Sequence, residues 1–269
     1  MEYLRQANPI LQAFFATLFT WGMTVIGASF VFFSRKANRK LLDSMLGFAA
    51  GVMISASYFS LIEPAIRMSE GGDLPVWFPV AAGFLLGSLF LLGVDRIIPH
   101  LHLGFPEKRV EGIKTKFHRV MLLVLAITLH NIPEGMAVGV AFGGQGAGIS
   151  HTTFQGALSL AIGIGIQNLP EGFAVSMPLR GEGISRSKSF FYGQLSAVVE
   201  PIAAVAGAIA VTSFQPILPY ALCFAAGAMI FVVIEEVIPE SQLGENADLA
   251  TISALSGFAL MMVLDIAFG

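Results

Sequence analysis

His130-Asn131-Ile132-Pro133-Glu134-Gly135 is answered further along the chain by Gln167-Asn168-Leu169-Pro170-Glu171-Gly172. One charged motif is thus written twice, each time inside a stretch greasy enough to cross a bilayer. Ionisable side chains at membrane depth are expensive and persist where they have a task. On a helix, His130 and Glu134 are spaced i, i+4 and Asn131 and Glu134 i, i+3, so they share one edge; Gln167, Asn168 and Glu171 repeat that geometry. The copies align over Ala126–Val138 and Gly163–Val175. Together they offer two carboxylates, an imidazole and three side-chain amides.

The surrounding chain sets the class. Of 269 residues, 55% are hydrophobic and only 12% charged, with mean hydropathy +0.76. Soluble domains carry about 25% charged residues, so this is a polytopic membrane protein rather than a globular enzyme. The single Cys223 excludes a disulfide framework and any cysteine-based metal knuckle. No polybasic arm interleaved with aromatics is present, so nucleic acid is not a partner; the lipid bilayer is.

A membrane helix needs about 20 residues. That ruler gives eight spans, at about 10–33, 42–65, 74–97, 119–142, 152–179, 189–212, 216–238 and 249–268. The first lacks any charge and is too long for a signal-peptide core, so it reads as a retained span. The chain is one domain, 1–269, with its longest loop at about 98–118. All but Arg5 and Arg67 of the fifteen Lys and Arg fall between spans 1 and 2, 3 and 4, or 5 and 6. The positive-inside rule puts those loops in the cytoplasm and both termini outside. Short loops suggest a bacterial inner membrane.

No Lys or Arg lies in the apolar middle of any span. Glu134, Glu171 and Glu200, the last about 11 residues into span 6, therefore need a proton or a cation from solution, because a bare carboxylate in low dielectric is unaffordable. Pro133 and Pro170 cannot donate to the carbonyls of Leu129 and Ile166, which predicts kinks there. An imidazole, carboxylates and amide oxygens suit borderline divalent ions, zinc first, with iron, manganese and cadmium open. Two adjacent metals sharing Glu134 and Glu171 are electrostatically reasonable.

Further repeats appear. Phe48-Ala49-Ala50-Gly51-Val52-Met53-Ile54 in span 2 matches Phe224-Ala225-Ala226-Gly227-Ala228-Met229-Ile230 in span 7. A weaker echo between Gly87–Asp95 and Gly257–Asp265 reads as the chance likeness of small-residue helices. The pattern suggests an all-α, 3+2+3 arrangement with inverted halves around spans 4 and 5, a transporter signature with a midplane site. Gly47-x-x-x-Gly51, Gly83-x-x-x-Gly87 and Ala203-x-x-x-Gly207 read as packing motifs.

With these motifs, and with Gly193–Pro201 around Glu200 and Glu235–Glu240 in span 7, the chain resembles the ZIP (Zrt/Irt-like) family of divalent metal transporters, in its prokaryotic GufA-like branch. The likeness covers nearly the whole chain. It implies one metal held by His130, Glu134, Gln167, Glu171 and the thioether of Met53, which spacing alone would read as membrane filler. It implies a second held by Asn131, Glu134, Asn168, Glu171 and Glu200. Some members carry Asp where this chain has Asn168, which removes a charge from the second position. The resemblance also implies a homodimer, and spans 1, 4, 5 and 6 moving against spans 2, 3, 7 and 8.

The remaining polar residues read as a path. His100 and His102, with Glu235, Glu236 and Glu240, cluster at the cytoplasmic side as an exit. Glu63 and Asp265 lie at the outer ends of spans 2 and 8, as an entrance or as ordinary helix-end carboxylates. Asp95 with Arg96 reads as a structural pair. The leading function is import of a divalent transition metal as substrate, with no prosthetic cofactor and no enzymatic step. The alternatives are a proton or other cation carrier using the same glutamates, and an intramembrane metal-dependent hydrolase, for which no His-Glu-x-x-His motif exists.

Overall fold

A computed structural model of the chain describes residues 6–33, 38–70, 72–97, 119–146, 153–181 and 183–268, apart from the side chains of 119–123 and 126. His100, His102 and the 98–118 loop lie outside the described residues. Every regular element described is helical. We number eight long units: α1 (Pro9–Phe32), α2 (Arg39–Ser69), α3 (Trp77–Ile97), α4 (Arg119–Gly146), α5 (Phe154–Gly181), α6 (Arg186–Ser213), α7 (Gln215–Ser241) and α8 (Ala247–Phe268). Local chemistry sets several starts. Asn8 caps α1 by accepting from the Ile10 amide at 2.9 Å, with Pro9 at the first helical position. Asn38 caps α2 through the Lys40 amide at 3.0 Å. Gly183, at φ 89°, turns α5 toward α6.

Six of these units are long and apolar enough to cross a membrane; α4 and α5, which carry the paired motif, are the two outside that set. Their position explains it. α5 is buried along most of its length, so its neighbours supply the apolar surface. α3 and α8 turn large side chains outward instead, Leu85, Leu89, Ile252 and Leu255 among them. A contiguous apolar exterior of that kind belongs in lipid, and the protein is a multi-pass, all-helical membrane protein.

The helices sort into two sets. α1 packs on α5 and α4 on α6, while α2 packs on α8 and α3 on α7; between the sets the main contacts are α2 with α5 and α4 with α7. Small residues make all four close pairings. A Cβ at Gly51 would strike the carbonyl of Ala254, and one at Gly227 the carbonyl of Phe84. Gly87 meets Phe224 and Gly257 meets Phe48 in the same way. The shift that lays Phe48–Ile54 on Phe224–Ile230 lays Gly51 on Gly227, and the shift that lays Gly87 on Gly257 lays Phe84 on Ala254. The echo between spans 3 and 8, which the sequence alone left to chance, thus marks equivalent contacts. Gly135 faces the Glu200 backbone and Gly172 that of Thr24, so the motif helices are held by the same device.

The discontinuities fall away from Pro133 and Pro170, through which α4 and α5 run on as helix. α2 widens to a π turn over Ser57–Ile62, where the Glu63 amide reaches the Tyr58 carbonyl, directly before Pro64. α7 does the same over Val233–Val237, where Ile238 reaches Val233 directly before Pro239. In both, the extra residue re-registers the ladder just ahead of a residue with no N–H to give. α6 breaks at 196–198, just before Pro201. There the Glu200 amide bonds to the Ala197 carbonyl at 3.1 Å, which leaves the Ser196 carbonyl free for another donor.

One buried acid is structural. Asp43, fully buried in α2, stands 2.6 Å from Arg39 Nε without the alignment of a hydrogen bond, and accepts from Asn246 Nδ2 at 3.1 Å. Arg39 also donates to the Glu240 carbonyl at 2.7 Å, so this cluster ties the start of α2 to the α7–α8 turn. Arg39 is 40% exposed, which discounts the ion pair for solvent screening. We expect Asp43→Ala to cost about 1–3 kcal/mol through the unpaired groups it leaves, read as a lowered melting temperature in detergent; an unchanged melting curve would show the cluster to be incidental.

Candidate metal-transport site

The two motifs meet where α4 and α5 pack together, with α6 against α4 and α1 against α5. Glu134 is fully buried and its Oε1 accepts from Gln167 Nε2 at 2.7 Å. It lies in electrostatic range of both Glu171 and Glu200. Glu171 is partly accessible, the most open of the three carboxylates. Glu200 is fully buried on α6; Asn168 Nδ2 donates to its Oε1 at 2.8 Å, and the Thr20 hydroxyl donates to its Oε2.

The amides use their nitrogens on protein. Asn131 Nδ2 donates to the carbonyls of Ile127 at 3.0 Å and Ser196 at 3.1 Å, the second being the carbonyl freed by the α6 break. Asn168 Nδ2 donates to the Thr20 carbonyl at 3.2 Å as well as to Glu200. The shift that aligns spans 2 and 7 also lays Thr20 on Ser196, so these two amide contacts are counterparts. Four acceptor atoms then have no protein hydrogen-bond partner although they are buried: Asn131 Oδ1, Glu134 Oε2, Gln167 Oε1 and Asn168 Oδ1. Buried polar oxygens without donors are rare and call for an explanation. Every one is an acceptor, the kind of atom that a cation, rather than another acceptor, can satisfy.

The donor set is mixed. Among the described residues no three His, Cys, Asp or Glu side chains converge into a metal-holding group by themselves; the motifs add amide oxygens to the carboxylates and the imidazole. His130 is buried on α4, and its Nε2 pairs with Glu236 of the α7 π turn. The imidazole thus links the motifs to the group read from sequence as the exit. Met53 is buried in α2, which packs on α5.

The outer residues fare differently. Glu63 pairs with Arg67 on the next turn, while Asp265 is buried and accepts from Ser60 at 2.6 Å. Both line one cavity of about 520 Å³ that also reaches Ala141 of α4 and Ala157 of α5. Glu235 is exposed and Glu240 buried; Glu240's carbonyl is held by Arg39. Sequence reasoning missed Thr20. Its signal was a stripe on span 1, Gln12, Thr17, Thr20 and Thr24, all buried at spacings that keep one helix face.

Comparison with known proteins identifies the family. Residues 102–265 match the family model described as ZIP Zinc transporter. Zinc transporter ZIP11 of Bos taurus is 42% identical, over 97% of this chain and 98% of its own length. Zinc transporter ZIPB of Bordetella bronchiseptica is 39% identical over 91% and 78%, and zinc transporter GufA of Myxococcus xanthus 38% over 94% and 98%. With the family model covering more than half the chain and relatives matching nearly all of it, the chain belongs to the ZIP zinc transporter family.

Proposed function

We propose that the protein imports zinc through the paired motifs of α4 and α5, with Glu200 as third carboxylate. The observation that carries this reading is the set of buried acceptor oxygens without donors on Asn131, Glu134, Gln167 and Asn168. A proton carrier has no use for amide oxygens turned inward beside carboxylates, whereas a borderline divalent ion binds both. Membership of a transporter family sets the hydrolase alternative aside.

Glu134 and Gln167, with His130, Glu171 and Met53, form the first position; Asn131, Asn168 and Glu200 complete the second. Zinc displaces the Gln167 amide from Glu134 to enter the first. In the second, Glu200 already answers two protein donors and Asn168 brings no charge, so the first position holds the ion more tightly. Protons compete with zinc for the same oxygens, so affinity falls as pH falls.

The cavity shared by Glu63 and Asp265 is the entrance, and Glu236, paired with His130, begins the exit toward Glu235 and Glu240. Both termini lie outside, by the distribution of Lys and Arg, and the short connections suit a bacterial inner membrane. The matched glycine contacts support 3+2+3 inverted repeats. The tightest pairings all fall inside the two sets, which supports rocking of α1, α4, α5 and α6 against α2, α3, α7 and α8.

The test is uptake by the reconstituted chain across zinc, iron, manganese and cadmium. Wild-type protein should carry zinc. His130→Ala should change the order of preference among the metals while leaving the protein folded, because it removes the one imidazole nitrogen from a set otherwise made of oxygens and the Met53 thioether. Proton flux without metal flux would overturn the reading.

A further inference from the structure

We propose that Thr20 is a positioning residue for zinc passage: with Asn168 it holds the two oxygens of Glu200, one each, and so fixes where that carboxylate meets the paired motifs. The proposal rests on the reading of Glu200 as a metal-site carboxylate. Thr20 is fully buried on α1, and its hydroxyl donates to Glu200 Oε2 while Asn168 Nδ2 donates to Oε1 at 2.8 Å. A carboxylate on a flexible stem, seated one residue before Pro201 and just after the α6 break, has several rotamers open to it. Two donors from two different helices select one.

The contact is not a by-product of satisfying the threonine. Buried hydroxyls in this protein routinely bond back to their own helix: Thr17 to the Ala13 carbonyl at 2.8 Å, Ser57 to Met53 at 2.8 Å, Ser69 to Ala65 at 2.7 Å. Thr20 has the same option, with its hydroxyl 3.0 Å from the Thr17 carbonyl. It reaches across to α6 as well. Nor is the contact forced by the internal repeat. The counterpart of Thr20 in the second half is Ser196, whose hydroxyl donates to the Gly193 carbonyl at 2.9 Å within its own helix. The counterpart of Glu200 is Thr24, whose Oγ1 is buried without a protein partner. The Thr20–Glu200 pair is therefore where the two halves have diverged, and it places a carboxylate on one side of the site and a hydroxyl on the other.

The backbone of Thr20 is also engaged, since its carbonyl accepts from Asn168 at 3.2 Å. One residue of α1 thus holds Asn168 through the main chain and Glu200 through the side chain. Substitutions that alter only the side chain separate the second role from the first. Thr20→Val keeps the shape and removes the donor; Thr20→Ser keeps the donor.

The experiment uses the full chain. Initial zinc uptake is measured in proteoliposomes for wild type, Thr20→Val and Thr20→Ser, and zinc dissociation constants by equilibrium dialysis for these and for Glu200→Ala and the Thr20→Val/Glu200→Ala double variant. Thr20→Val should raise KM for zinc about tenfold, the worth of one hydrogen bond to a charged group, with Thr20→Ser within about twofold of wild type. In the Glu200→Ala background, Thr20→Val should change the dissociation constant by less than about twofold, because it acts through the missing group. Wild-type KM in Thr20→Val, or an undiminished effect of Thr20→Val on zinc affinity without Glu200, would overturn the proposal. A wild-type dissociation constant at the weaker, second zinc position in Glu200→Ala would instead overturn the reading of Glu200 on which it rests. If Thr20→Val is poorly recovered, Thr20→Ala carries the same comparison.

Discussion

Glu134→Ala should reduce zinc uptake at least about 100-fold while leaving the protein folded in the membrane. Glu134 is one of the two carboxylates, with Glu171, that both proposed metal positions share. It is fully buried, takes the Gln167 amide on one oxygen and leaves the other without a donor. Truncation removes the charge that makes a buried divalent ion tolerable, and such losses at a desolvated ion pair run to about 3–5 kcal/mol, which is two orders of magnitude or more. Glu134→Gln separates charge from shape. It keeps the volume and one oxygen for the Gln167 amide, removes the charge and turns the other oxygen into an N–H donor, and it should be nearly as impaired. Near-wild-type uptake by Glu134→Gln would remove electrostatics from the account and leave only packing.

Gly51→Leu should prevent recovery of folded protein, for a reason unrelated to zinc. A Cβ at Gly51 falls on the Ala254 carbonyl and against the Phe258 amide, so the obstruction is backbone rather than a side chain that can swing away. The α2–α8 pairing would have to separate, at a cost above the roughly 1–3 kcal/mol of ordinary overpacking. Gly93→Leu on α3 is the matched control: nothing lies within 4 Å of a Cβ there, and leucine is the better helix former. Monodisperse yield and melting temperature in detergent distinguish the two. Equal yields would mean that the close glycine contacts do not hold the helices together.

The sequence made some of this legible and concealed the rest, for physical reasons. Eight helices follow from eight stretches near bilayer length, but α2 runs to Ser69 and α4 to Gly146, past the hydropathy limits, because helix ends inside a bundle need not stop where lipid does. The prolines singled out in the motifs were not those that precede the irregular turns. Pro133 and Pro170 lie within helices enclosed by neighbours, whereas the irregular turns sit before Pro64, Pro201 and Pro239.

The paired motif was readable because buried carboxylates without a cation demand an explanation. The engagement of Glu200 by Thr20 was not, since a threonine on a membrane helix ordinarily bonds back to its own backbone. The pairing of His130 with Glu236 was equally hidden, because the two lie on helices α4 and α7 that only the fold brings together. The likeness of Gly87–Asp95 to Gly257–Asp265 was visible but too weak to weigh until the contacts of Gly87 and Gly257 proved equivalent.

The central claim is that zinc is held by the inward-turned oxygens of the two motifs with one imidazole. X-ray absorption at the zinc edge of the purified, zinc-loaded chain addresses it directly. The account predicts a shell of oxygen and nitrogen at about 2.0–2.2 Å, with one imidazole, at most one sulfur neighbour from Met53, and loss of the bound zinc in Glu134→Ala/Glu171→Ala. A fully hydrated or sulfur-dominated shell that is unchanged in that double variant would contradict it.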